Sequence, residues 1–573
     1  MPTDPARPLS QSSLTLPRGV AWTATLLIAT SGLYQLILAP PDGSNRIGCM
    51  LGALGVLVAV FLWALIPIGR AKARYGIGIL LLVAMLIGEA VLLKFFHHFS
   101  DGAGGQINLL PLWGDLGATV IGSLSFFVAA CAVAGVVLRG ANHWRAATAV
   151  ITLAVLVYVG TALAMFRQFP TSGIDVTTFH RDSTAALLHG ENPYAITFPN
   201  VYSHDGAPSP YYSQEVQRDG RVLFGYPYPP LCLLIMTAGR ALSADPRVTL
   251  SLCFGLAAFI TAFISPGRLS MLAAAFMLIA PGAMVVQNLS WTEPQSLLLL
   301  AIVAWAAVRN SKTLPIWLGL FFALKQYNVI FAPLLFLLLP RPLTLRSAAR
   351  FLTPIVLTAL IVTVPLALWD AKAFWHSTVY IQLIQPFRYD SFSLLAAYAR
   401  SLPTGTPPPS GAWAFLLLIP TLALLLWRLQ RNIAGFTLGV AVTMIVFLMF
   451  NRQAFLNYHT FAADALLIAA ATYEGVFLVP SPVSTREREL TPPRVPRAAL
   501  PGPESAAPLA TAGRQPAIGT RTSSATAAQA YSRSFPAPCR CALSSPPQTA
   551  PAPGGSVLRC SHNFRACVAA TTS

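Results

Sequence analysis

One acidic residue stands where chemistry could be done. Asp175 lies a few residues beyond an apolar run ending near Phe166, within RQFPTSGIDVTTFHRDSTAALLHGENPY. Residues Thr177 to Leu188 pattern as a short amphipathic helix, with Phe179, Ala186 and Leu187 on or near its apolar face. Gly190 is a natural stop, and Asn192, Pro193 and Tyr194 read as an ordered turn. The run FGYPYPPL, Phe224 to Leu231, carries Tyr228; its prolines fix their own φ and restrict the preceding residue, giving a rigid entry into the next helix. A shaped loop without a catalytic role is the plain alternative. Polar groups recur at Gln287–Pro294 (QNLSWTEP), Gln385–Ser393 (QPFRYDSFS) and Asn451–His459 (NRQAFLNYH). Polar groups converging from distant parts of a chain are what a binding cavity needs. Each also has a simple account: Glu293 as a helix N-terminal carboxylate, Arg388 with Asp390 as a surface pair, His459 as an interfacial hydrogen-bonding group.

The elements that must position these groups are apolar. The chain has 573 residues, of which 55% are apolar, 10% are charged, and the net charge is +18. A soluble protein carries roughly 25% charged residues, so this composition predicts an all-α, polytopic transmembrane bundle. The positive charge lies in short segments between apolar runs and in the tail, which argues against a nucleic-acid partner. Candidate spans run 19–39, 47–68, 75–96, 117–138, 145–166, 228–243, 248–264, 269–287, 293–309, 314–340, 347–368, 412–429, 433–450 and 457–477. The first is read as a retained helix, not a cleaved signal. Barrel-type alternation is lacking.

Placing Arg70, Lys72, Arg74, Arg139, Arg145, Arg341, Arg346, Arg350, Arg428 and Arg431 in the cytoplasm puts the N-terminus inside and the loops 167–227 and 369–411 outside. The domains then read as a cytoplasmic N-terminus (1–18), N-terminal helices (19–166), an outer, periplasmic loop with Asp175 (167–227), a C-terminal core (228–477) and a disordered cytoplasmic tail (478–573) rich in Pro, Ala and Ser. Segment 228–243 is short and expected to be re-entrant or interfacial. Segment 314–340 is too long for one span and carries Lys325, Gln326 and Asn328, so two short helices meeting at a polar turn are expected; one tilted helix is the rival. Cys49, Cys131, Cys232 and Cys253 read as small buried hydrophobes. The tail cysteines Cys539, Cys541, Cys560 and Cys567 match no common zinc spacing, and no metal or cofactor is expected.

The order Asp175, LLHGENPY, YPPL and a chain of helices resembles the polyprenyl-phosphate-dependent glycosyltransferases of family 87, within the GT-C superfamily. The likeness covers about 150–477 and takes in the Gln287/Asn288 edge, the hairpin with Lys325, FRYDSFS and FLNYH. It implies a GT-C-like helical architecture at the cytoplasmic membrane of a bacterium, with a site facing the periplasm or exterior. It implies inverting sugar transfer, mannose being the expected sugar, from a polyprenyl-phosphate-linked donor to a glycolipid or polysaccharide hydroxyl. Asp175 matches the family's general base, and a carboxylate beside an acceptor hydroxyl suits that role. Lys325, Arg388 and His459 are the candidates for the departing phosphate. Tyr458, Glu293, Asn192, Tyr194 and Tyr228 complete the expected substrate-binding set, and Asp182 is read as structural. The competing readings are a transporter or flippase for an amphiphilic substrate and a non-catalytic envelope-assembly protein; no internal repeat supports the first.

Overall fold

The computed structural model describes residues 16–38, parts of 127–139, and 143–477 except 169, 171 and 204–206. The expected spans 47–68 and 75–96, most of 117–138, the tail and its cysteines lie outside the described residues.

The fold is mostly helical. Its α-helices are α1 (Leu16–Leu38), α2 (Trp144–Gln168), α3 (Asp175–Leu188), α4 (Pro230–Arg240), α5 (Pro246–Ala262), α6 (Arg268–Ile279), α7 (Pro281–Asn288), α8 (Glu293–Val308) and α9 (Leu314–Leu324). A 3₁₀ helix, Gln326–Leu338, follows, then α10 (Leu345–Trp369), α11 (Ala371–Trp375), a π-helical turn His376–Tyr380, α12 (Ile381–Ile384), α13 (Leu394–Ser401), α14 (Ala412–Arg428), α15 (Ile433–Met449) and α16 (Leu456–Phe477).

Two described helices, Trp144–Arg167 and Leu345–Trp369, are long and apolar enough to cross a membrane. Of the other expected spans, 19–39 and 457–477 fall on helices of 23 and 22 residues, and several more are shorter. Residues 248–264, 293–309, 412–429 and 433–450 form helices of 16 or 17 residues, where crossing takes about 20. The expected span 269–287 is two helices, because Pro281 has no N–H to continue α6. The core gathers on α15, every residue of which is buried, and on α8, α5 and α16. A helix apolar all round packs inside a protein core or stands in lipid, and α15 is covered by protein on every side.

The polar break expected within 314–340 is present. Lys325 is extended, with φ −138 and ψ 144, between α9 and the 3₁₀ helix. The Asn328 amide caps the turn by donating to the Phe321 carbonyl at 2.6 Å. The 3₁₀ helix buries Asn328, Phe331, Leu334 and Leu337, one residue in three, as its three-residue turn requires.

Helix ends are held by opposite charge. Arg139 donates to the carbonyls of Ala262, Ser265 and Pro266 past α5, and Arg309 to that of Phe263. The Glu474 carboxylate accepts the N–H groups of Leu269 and Ser270 at the start of α6. Cations at a helix C-terminus and a carboxylate at an N-terminus each oppose the local dipole.

The segment between α3 and α4 contains a three-stranded antiparallel sheet of two-residue strands, β1 (Phe198–Pro199), β2 (Gln217–Arg218) and β3 (Arg221–Val222), in the order β1-β3-β2. Asp219 and Gly220, both at positive φ, make the two-residue turn of the β2–β3 hairpin. The sheet pins the loop that returns to α3.

Candidate functional site

Asp175 is the first residue of α3, half-buried, and its backbone follows the extended Ile174. The apolar face of α3 turns Val176 and Phe179 inward. Phe179 packs against Phe198 of β1 at 4.7 Å and Phe224 at 5.7 Å. Thr177 ties the same end to Ser290 through a 2.7 Å hydroxyl bond. The Asp175 carboxylate therefore sits on a helix fixed from two sides.

Three donors hold that carboxylate: the Val176 N–H at 2.8 Å, the Tyr202 hydroxyl at 3.1 Å and the Tyr212 hydroxyl in close contact. Burial lifts the Asp175 carboxyl above the usual carboxylate range, against the pull of the two tyrosines, the Val176 N–H and the field of Arg388. Burial and the Asp175 charge push both tyrosines above their ordinary value, so they remain donors. Neither tyrosine was among the residues expected from sequence. The signal was slight: a Tyr211–Tyr212 pair in a stretch rich in Ser, Gly and Pro.

Lys325 lies across the site. Its ammonium, 3% exposed, donates to Glu293 Oε1 at 2.6 Å, and Glu293 is fully buried. The rings of Tyr228, Tyr327 and Tyr458 surround it at 5.0, 5.2 and 5.5 Å. These distances suit cation–π attraction to an ammonium that has lost its water. Glu293 begins α8 as expected, yet it makes no cap hydrogen bond and pairs with Lys325 instead. Gln326 donates to the carbonyls of Pro227 and Thr378, the latter at 3.2 Å, which fixes the Lys325 break against the proline-rich turn.

Tyr228 and Tyr458 bridge the two halves. Tyr228 lies within the fields of both Asp175 and Glu293, and Tyr458 within those of Asp175, Glu293 and Arg388. Arg388 forms the expected pair with Asp390, at 2.8 and 2.6 Å, and its guanidinium stacks between Tyr211 at 4.4 Å and Phe455 at 4.7 Å. Asp175, Tyr228, Glu293, Lys325, Arg388 and Tyr458 thus form one neighbourhood.

Three expected contacts serve as supports. His459 is 1% exposed; its Nε2 donates to the Phe392 carbonyl at 2.8 Å. A carbonyl only accepts, so Nδ1 is the acceptor for the Tyr34 hydroxyl beside it. His459 in this arrangement has no N–H left for a phosphate. The Asn192 side-chain Oδ1 accepts the Tyr194 N–H at 3.0 Å, closing the expected turn. Tyr194 is buried, and its hydroxyl donates to the Tyr228 carbonyl at 3.0 Å, positioning Tyr228 from behind. Asp182 pairs with its neighbour Arg181 at 2.8 Å.

His180, fully buried on α3, bonds the Tyr226 hydroxyl at 3.0 Å and stacks on Tyr228 at 5.8 Å. Burial and the Lys325 charge push its imidazole down to about 3, so it is neutral. The assembled site offers a proton-accepting carboxylate facing hydroxyl and aromatic groups, and a caged cation beside it. No family model, curated protein or solved structure matches the chain.

Proposed function

We propose that this chain is a membrane-embedded glycosyltransferase that moves a sugar, mannose being the preferred candidate, from a polyprenyl-phosphate donor to a hydroxyl acceptor. The observation that carries the reading is that Asp175 and the caged Lys325–Glu293 pair both lie beside Tyr228 and Tyr458. Inverting transfer needs two groups: a base for the acceptor hydroxyl and positive charge for the departing phosphate. Asp175 takes the first role. Lys325 takes the second, with Arg388 supporting it. A raised carboxyl suits a base, because it holds the abstracted proton more firmly than an ordinary aspartate.

A membrane setting for the whole helical bundle is supported by what the protein leaves exposed. The outer face of α10 presents Val356, Leu357, Leu360, Ile361, Val364 and Leu368. That of α14 presents Phe415, Leu416 and Ile419 between Trp413 and Trp427. Apolar faces bounded by tryptophan are the signature of helices standing in lipid. A long-chain donor also demands it, since each CH₂ kept out of water is worth about 0.8 kcal/mol. The 11-residue α4, about 16 Å long, is too short to cross and suits the re-entrant or interfacial place expected for 228–243.

The test is transfer from a panel of radiolabelled polyprenyl-phosphate sugars by the purified chain and its Asp175→Asn variant. The variant should fold and insert but lose on the order of 10²–10⁴-fold in rate. Full activity in D175N, or labelling that puts residue 175 in the cytosol, refutes the reading.

A further inference from the structure

The start of α8 holds more polar groups than it satisfies. Glu293 Oε1 receives the Lys325 ammonium at 2.6 Å, while its Oε2, fully buried, has no hydrogen-bond partner. Two residues on, Gln295 is fully buried with neither amide atom bonded, and the Thr292 hydroxyl, on a residue 1% exposed, is also unbonded. A helix start with unused donors beside a caged ammonium is built to hold an anion. The anion in that place is the protein's own carboxylate.

We infer that an incoming phosphate displaces Glu293 from Lys325 and that Glu293 takes up one proton as it does so. This rests on the reading that Lys325 receives the donor's phosphate. The Lys325–Glu293 pair is neutral and sealed from water. A singly charged phosphate added beside it leaves one uncompensated negative charge in a buried space, which is costly. A solvent proton placed on Oε2 restores neutrality and turns a repelling carboxylate into an O–H donor. The Lys325 N–H bond to Oε1 passes to a phosphate oxygen, and on release the proton returns to solvent. The other titratable groups around Glu293 do not serve. The Tyr228, Tyr327 and Tyr458 hydroxyls and the Cys232 thiol already carry their protons near neutrality, and His180 is held neutral by burial together with the Lys325 charge. Asp464, on α16 behind α8, makes no bond to Lys325.

The probe is a short-chain prenyl methyl phosphodiester, whose single charge does not change near neutrality. It is titrated calorimetrically into the full-length protein in nanodiscs, at one pH in two buffers of different ionisation enthalpy, and then across pH. Wild type should take up close to one proton per phosphodiester bound, and its affinity should weaken about tenfold per pH unit on the alkaline side. The Glu293→Gln variant should bind with no uptake and a flat pH profile. Wild-type binding without proton uptake, or uptake that persists in E293Q, overturns the inference and leaves the phosphate-site reading standing. The wild-type uptake decides this even if E293Q folds poorly. A wild type that does not bind the phosphodiester, or a Lys325→Met variant that binds it as well as wild type, overturns both.

Discussion

Replacing Lys325 by Met should destabilise the protein more than replacing Glu293 by Gln, and the double replacement should cost less than K325M alone. The 2.6 Å contact corresponds to an attraction on the order of 6 kcal/mol at an effective dielectric near 20. Desolvating two ions offsets most of it. What remains when one partner is deleted depends on what the survivor still touches. In K325M the Glu293 carboxylate is left fully buried, with Oε2 unbonded and only the Tyr327 hydroxyl near Oε1 at 3.4 Å. That situation costs roughly 3–5 kcal/mol. In E293Q the ammonium keeps three tyrosine faces and gains the amide oxygen, so the loss should be about 1–2 kcal/mol. In the double variant neither charge is stranded. The assay is denaturant unfolding in mixed micelles followed by tryptophan fluorescence, with the four free energies closing a double-mutant cycle. Equal single costs, or additive ones, refute the argument that this pair is buried and mutually dependent.

Other perturbations report on other parts of the structure. Tyr212→Phe removes a donor from the Asp175 carboxylate and should raise it further; under the proposed role Asp175 works deprotonated, so the acid limb of the kcat/KM profile should move up by about one pH unit. His180 is held down to about 3, so the unfolded chain binds its proton first as pH falls below the ordinary imidazole value of about 6.5. Stability should therefore drop between those limits, by on the order of 2 kcal/mol at pH 5, and His180→Gln should remove that slope. The raised Asp175 acts in the opposite sense, so the comparison with H180Q isolates the histidine. A Cβ on Gly225 would strike the Tyr194 carbonyl, which is backbone and cannot turn aside, so Gly225→Ala should cost at least the 1–3 kcal/mol typical of overpacking, read as a lowered Tm.

Local signals were legible in the sequence, and pairings across the chain were not. The helix expected over Thr177–Leu188, which opens two residues earlier at Asp175, its stop before Gly190, the Asn192 turn and the break at Lys325 all follow from neighbours within a few residues. The Asp219–Gly220 hairpin carried an equally local mark that hydropathy concealed beneath a polar loop. The partnership of Lys325 with Glu293 spans 32 residues, and that of Tyr212 with Asp175 spans 37. No periodicity encodes either. Hydropathy also merged α6 with α7, because Pro281 interrupts the backbone without interrupting the apolar run. His459 suggested binding by its type and place, but both its nitrogens are spent inside the protein.

The 3₁₀ helix has a metrical consequence. Its 13 residues climb about 2.0 Å each, reaching roughly 26 Å, where the same residues wound as an α-helix would reach about 20 Å. The 17 residues of α15, against which it lies with Leu334 close to Gly439, also measure about 26 Å. A stretched coil therefore keeps pace with a longer neighbour using four fewer residues. Inserting residues to lengthen that segment would not extend its reach; it would give the coil slack to rewind, and the Lys325 end would be the one to shift.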